Sequence, residues 1–355
     1  MDNKINYRTL ISRLEENALP YGILPLQNDM LAVITQRGGR IYPFLDEDSN
    51  CLFWVNGAFA QAQAFKDFLD SGHWNLGGDR IWIAPEVQYS ISDRNDFNGS
   101  FLLQEQMDPG RYQLESTNNG SWRLHQGFTM DAHILAFGQK ELHINRLVRK
   151  IEDPLRVLDD YPVLSEGVKY GGYEQLITLE EMTRDDIVSE VWSLIQLNPG
   201  GTLYIPTLPC LEYTDYLAPA GQTYFQMHPN YVSLKITGDH HYKHGYKSTG
   251  VFGRLGYFNS LEEGYASLVV RNFFNNPSAH YSEEAAHIPG RRGHSIHVYN
   301  DDGGLGGFGE LECNGQTIGG ASGRSAALEQ MVLWIYVGES QKVKEITWRL
   351  LGIRI

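Results

Sequence analysis

The chain has 355 residues, 42% hydrophobic and 20% charged, with a formal net charge of -14. That length suits two domains or one large β architecture, and the composition is that of an ordinary globular core. The acidic balance speaks against DNA or RNA as partners, which are held through clustered Lys and Arg, and no 18-residue apolar run is present to cross a membrane as a helix.

Residues 5–16, INYRTLISRLEE, space their apolar positions as a short helix does. The N-terminal stretch has no apolar segment of signal-peptide length, so a cytoplasmic protein is expected. YGILPLQ, MLAVITQ, RIYPFL and CLFWVN then read as β-strands divided by Asn-Asp, Gly-Gly and Asp-Ser-Asn turns. QAQAFKDFLDSG at 61–72 reads as a second small helix. The stretch GHWNLGGDRIWIAPE at 72–86 follows, with His73 and Trp74 upstream of two glycines, then Asp79 and Arg80 at the mouth of a strand. The glycines allow a sharp turn. Arg80 would reach a ligand oxygen, Asp79 or Glu86 would orient its guanidinium, and Trp74 or Trp82 would form a stacking wall.

From residue 80 onward, fifteen to twenty alternating segments without helix–strand alternation predict an all-β chain, one large antiparallel sandwich. The strand SEVWSLIQL sets Trp192 and Gln196 on one side, and KHGYK brings Lys243 and Lys247 with a histidine. Arg271, Asn275, Asn276, His280 and Tyr281 follow the apolar strand YASLVV as further hydroxyl-binding candidates. Tyr 20, Phe 15 and Trp 7 make up 12% of the chain. Aromatic platforms beside groups that hydrogen-bond hydroxyls are what sugar sites use. Cys51, Cys210 and Cys313 are widely spaced without a CxxC pair, which excludes a disulfide framework or a cysteine zinc site. His240 and His241 are adjacent, so from a strand they point to opposite faces and cannot share one ion. Neither a metal nor a cofactor is expected, and no P-loop, GxSxG or HExxH motif occurs.

Near the C-terminus HSIHVYN and FGELECNG flank the Gly-rich turn at 301–309 and read as hairpin neighbours. Alternation puts His297 and Tyr299 on one face with Glu310, Glu312 and Asn314, and Ile296, Val298, Leu311 and Cys313 on the other. Two carboxylates on one face raise a pKa toward the range useful for proton transfer.

The order of GGR at 38–40, CLFWVN, GGDRIWIAPE, HINRLVRKI, VWSLIQLNPGG, HVYN and GELECNG resembles the galactose mutarotase-like superfamily, and within it a branch with a GGDR-x-W-x-APE segment. The resemblance runs from about residue 20 to 350. It implies a twisted β-sandwich at 21–355 behind a helical lead-in at 1–20, with a sugar on the concave face of the larger sheet. It implies Glu312 as the base of an aldose 1-epimerase, Glu310 in reserve, and Arg80 and Asn314 as matching family positions. The epimerase strand carries a histidine that residues 190–197 lack, so His297 or His73 has to supply the proton. The expected substrate-binding set is Arg80, Trp74, Asp79, Trp192, Gln196, Tyr299, Asn314 and Lys243. The expected partner is a small sugar or oligosaccharide, for a monomer or homodimer. A uronate lyase and a non-catalytic sugar-binding protein are the alternatives on the same fold.

Overall fold

A computed structural model describes residues 4–209 and 211–355. Cys210 lies outside the described residues, and Cys51 and Cys313 are free and buried. The leading helix is Tyr7–Glu16. Asn6 caps it by accepting from the Thr9 amide (2.8 Å), and Tyr7, Leu10 and Leu14 turn into the core. A second helix, Ala62–Asp70, buries Phe65. A third, Ser340–Leu351, was not read from the sequence. Its Val343, Ile346, Thr347, Leu350 and Leu351 form one apolar stripe. That stripe packs with Leu268, Val270, Trp334 and Tyr336 on the ten-stranded sheet.

Apart from short helical turns and loops, the rest is two antiparallel sheets. The nine-stranded sheet runs in the order Tyr21–Pro25, Leu31–Thr35, Ile41–Phe44, Asp79–Ala84, Glu190–Leu197, Gly309–Asn314, His294–Asn300, Tyr242–Lys247 and Tyr213–Asp215. The ten-stranded sheet is centred on Arg254–Ser260, Tyr265–Phe273, Ala326–Glu339, Lys169–Glu181 and Gly138–Lys150. The fold is therefore the all-β sandwich expected. Alternation decides what goes between the layers. Ile81, Ile83, Val191, Ile195, Leu311, Cys313, Ile296 and Val298 turn inward and share one core with Tyr173, Ile177, Val269 and Leu333 of the other sheet.

A polar cluster is buried in that core. The Asp79 carboxylate accepts from Arg271 Nη2 (2.8 Å), Tyr173 OH (2.7 Å) and Gln175 Nε2 (3.0 Å), and Asp79 and Arg271 are both fully buried. Two expectations are corrected here. Because Asp79 and Arg80 are consecutive in a strand, they face opposite ways. Asp79 ties the two sheets together and neither orients Arg80 nor meets a ligand, and Arg271 is its core partner.

The two glycines before Asp79 are needed for sterics. Gly77 and Gly78 have φ of 92° and 80°. A Cβ on Gly77 would sit 2.2 Å from the Trp54 carbonyl oxygen, and one on Gly78 would sit 2.8 Å from the Tyr42 ring. The tight turn brings Arg80 onto the outer face of the nine-stranded sheet.

Candidate functional site

On that outer face the central strands align their side chains in rungs. Arg80, Leu194, Glu312 and His297 are consecutive register partners, and so are Gln196, Glu310, Tyr299 and Lys243. At a strand spacing of about 4.8 Å, Arg80 and His297 lie roughly 14 Å apart at Cα. The hairpin inferred from HSIHVYN and FGELECNG is present, with His297 directly opposite Glu312.

Loops close over the face and leave a cavity of about 460 Å³, within the range of about 300–1,000 Å³ usual for small-ligand sites. Trp74, Trp82, Trp192, Tyr216, Tyr299 and Phe308 supply its aromatic wall. The three tryptophans run edge to face, with centroids 5.0 and 5.7 Å apart. Arg80 lies over Trp82 (4.3 Å) and pairs with Glu310 through Nη2 (2.8 Å). Its Nε and Nη1 are buried without a protein acceptor. Lys243 sits over Trp192 (4.6 Å), 3.2 Å from Glu86 and 3.5 Å from Glu312.

Each carboxylate answers to its surroundings. Burial pushes Glu312 up to about 7, Lys243 pulls it back, and Glu310 and Glu86 push the same way as burial. Glu312 accepts from the Trp192 indole (2.9 Å), while its Oε1 has no protein donor. Glu283 accepts from the Glu86 amide (2.6 Å), and burial followed by the Glu86 charge raises it well above the carboxylate range. Burial lowers Lys243, but Glu312, Glu86, Glu283 and Glu310 more than offset it, so its pKa is raised and the ammonium stays charged.

The rim is pinned by a carboxylate without a cation. Asp301 accepts from the amides of Gly303 (3.0 Å), Leu305 (3.1 Å) and Gly307 (2.8 Å) and from Tyr299 OH (3.1 Å). This holds the Gly-rich turn, with Leu305 and Phe308, against the cavity. Glu284, held by Arg94, Arg292 (2.5 Å) and the Gly290 amide (3.0 Å), anchors the opposite loop.

Of the site residues expected from sequence, Arg80, Trp74, Trp192, Tyr299, Lys243 and Glu310 line the cavity. The others do not. Glu312 is fully buried behind Lys243 and Trp192. His297 is covered by Tyr216, whose ring meets it edge-on at 4.9 Å, and burial followed by the Lys243 charge lowers its pKa well below the usual value. A Cβ on Gly245 would come within 2.5 Å of the Tyr216 ring, so that cover needs a glycine. His73 is exposed and packs on Phe68 (5.3 Å) outside the cavity. Gln196 and Asn314 are fully buried and bond Asn75 (2.9 Å) and Glu190 (3.0 Å). His73, His297, Gln196 and Asn314 therefore do not reach the cavity, because exposure or the Tyr216, Asn75 and Glu190 packing takes each of them away from it. Glu86 pairs with Lys243 instead of orienting Arg80. Tyr216 went unread, because it acts from a loop with no local pattern.

Glu190, at the edge of the same face, is pushed up to about 7 by burial, against hydrogen bonds from Thr317, the Ser282 amide and Asn314. Its folded pKa exceeds the unfolded 4.5, so stability is present below about 4.5 and is lost as pH rises to about 7. The loss is about 3 kcal/mol. Glu190→Gln is expected to remove that slope, since Asn314 Oδ1 has no partner and the amide can turn to accept. Denaturant titrations at pH 5 and pH 8 should show the variant gaining about 2.5 kcal/mol on the parent between them; parallel pH dependences would refute this.

Fold and site together define the class: a two-sheet antiparallel β-sandwich with an aromatic, charge-lined cavity on the outer face of its nine-stranded sheet, the smaller of the two and not the larger one expected. The chain belongs to the family of unknown function DUF6786, whose model matches residues 30–355. No curated protein matches it. Among solved structures it is similar to a galactose mutarotase-like protein from Lactobacillus casei ATCC 334, at 10% identity and a TM-score of 0.46, covering 90% of this chain and 100% of that one. It is also similar to the Slr1438 protein from Synechocystis sp. PCC 6803, at 12% identity and 0.47, covering 90% and 95%. A third is a galactose mutarotase related enzyme from Lactobacillus acidophilus, at 8% and 0.42, covering 90% and 97%. At these identities and scores nothing about activity transfers from them. Among the described residues no helix is long and apolar enough to span a membrane, and no three His, Cys, Asp or Glu are grouped to hold a metal ion.

Proposed function

We propose that the cavity binds a sugar and interconverts its anomers by acid–base chemistry. The observation that carries this reading is the placement of Glu310 between Arg80 and Tyr299, on a wall of three tryptophans. The tryptophan faces suit the C–H faces of a pyranose. Arg80 Nε and Nη1 offer donors to its oxygens, and Glu310 accepts the proton of the anomeric hydroxyl. Glu310 replaces Glu312 as the base in this reading, because it lines the cavity and Glu312 does not.

A uronate lyase requires a cation free to meet the substrate carboxylate. Arg80 and Lys243, the Arg and Lys side chains lining the cavity among the described residues, both pair with protein carboxylates. Arg80 keeps Nε and Nη1 for a ligand, so a uronate lyase stands as the second reading on the same cavity. Trp82→Ala is expected to weaken sugar binding by 10-fold or more through the lost platform. Titration of a hexose panel by ligand-observed NMR checks this; unchanged affinity would remove the tryptophan wall from the site.

A further inference from the structure

We infer that the ligand of this cavity is a sugar bearing an apolar group, an aryl or alkyl substituent on the side of the ring remote from C1. The inference rests on the epimerase reading above and deepens it by naming the class of sugar. The cavity runs along the strands, and its two ends differ. One end lies at the Gly-rich turn, where Glu310 stands at the start of its strand on a rung with Tyr299. From Glu310 to Asn314, which is level with Trp192 and Trp82, that strand rises about 13 Å. Beyond this rung the strand Asp79–Ala84 passes through Pro85 into the short helix Glu86–Tyr89. Phe101 is held beside the end of that helix, because it bridges to Ile91 and the Leu102 amide donates to the Ser90 carbonyl (2.8 Å). Arg94 ties the same loop to the Glu284 carboxylate and the Ala286 carbonyl (3.3 Å). Val87, Phe97, Phe101 and Ala286 thereby line the far end, with the two phenylalanine rings 6.4 Å apart. A single pyranose at Glu310 leaves that end unfilled.

The chemistry of the far end selects what fills it. None of those four side chains donates or accepts a hydrogen bond. Glu86 and Glu284, the polar side chains that line the cavity there among the described residues, are already engaged. Lys243 holds Glu86 (3.2 Å), and Arg94, Arg292 and the Gly290 amide hold Glu284. The hydroxyls of a second sugar pressed into this end would lose water and find no partner in return. A phenyl ring or alkyl chain has no such cost, and it removes its own apolar surface and that of the two phenylalanines from water. Orientation follows from Glu310. With C1 and its hydroxyl at the turn end, C4 and C6 face Val87 and the phenylalanines. A substituent on O4 or O6 leaves the anomeric hydroxyl free, as anomer exchange requires.

The experiment is a titration by ligand-observed NMR of free hexoses, the same hexoses benzylated at O4 or O6, and reducing disaccharides. It is run on the parent, Phe97→Ala and Phe101→Ala, with anomer exchange followed on the same probes. The expected result is that a benzylated hexose binds the parent about 10-fold or more tighter than the free hexose. That gain should shrink to about 3-fold or less in Phe101→Ala, and shrink also in Phe97→Ala. Because the gain is a ratio taken within one protein, partial loss of folded protein does not mimic it. Equal affinity for free and benzylated hexoses would overturn the inference, as would a gain that both variants retain in full. A larger gain from the disaccharides would also overturn it and make the far end a second sugar subsite. Tight, Phe101-dependent binding of benzylated hexoses with no acceleration of exchange on any probe would overturn the epimerase reading while upholding the apolar end of the cavity. No binding of any probe would overturn both.

Discussion

Glu310→Gln is expected to slow anomer exchange by about 10²–10⁴-fold, the usual contribution of a positioned general base. The amide is nearly the same size and still accepts from Arg80 Nη2, so the guanidinium keeps its place over Trp82. What it cannot do is take a proton. Binding should change far less than rate, so the loss should appear in kcat with KM within a few-fold. Glu312→Gln makes the useful contrast. That carboxyl stands behind Lys243 and reaches the substrate only through it, so its replacement should cost less than that of Glu310. Exchange rates for the two variants, measured with the parent on one sugar, rank the two carboxylates directly. A larger loss from Glu312→Gln would return the base to the position that the superfamily resemblance implied.

Asp79→Ala should be the most destabilising single change near the site, by about 3–5 kcal/mol, the cost of leaving a buried charge without its partner. Arg271, Tyr173 and Gln175 each lose an acceptor at once. Against a total stability of about 5–15 kcal/mol, such a loss puts folding itself at risk. Pairing the change with Arg271→Met removes the orphaned cation, so the double variant should be more stable than the sum of the two singles requires. Urea midpoints for the two singles and the double close the cycle; strict additivity would contradict a coupled pair.

Much of this was legible in the sequence. The alternation in HSIHVYN and FGELECNG fixes which side chains share a face, and their pairing follows from one short Gly-rich turn. The same alternation also tells Asp79 from Arg80. An Asp79 that orients the Arg80 guanidinium is incompatible with that alternation, since one faces the core and the other the cavity. The helix Ser340–Leu351 keeps a helical period in its apolar positions, but it follows directly on the apolar run of the strand Ala326–Glu339, which masks that period in the sequence. Other features have no local signature. Lys243 meets Glu86 across 157 positions of chain, and Tyr216 covers His297 from a loop whose course depends on the whole sheet edge. A histidine can be assigned to a face from its period. Whether another ring lies over it is decided by tertiary packing, and that packing excluded His297 and exposed His73.

Turnover of a sugar at its anomeric carbon is the function proposed for this cavity. Its most direct test is anomer exchange followed by NMR for the parent protein, across neutral hexoses, hexose phosphates and uronic acids. Exchange faster than the uncatalysed rate is expected for at least one of these sugars, with loss of that acceleration in Glu310→Gln. Saturable binding of a sugar in this cavity with no acceleration for any member of the panel would contradict it, and would make the protein a carbohydrate-binding module on an enzyme-like fold.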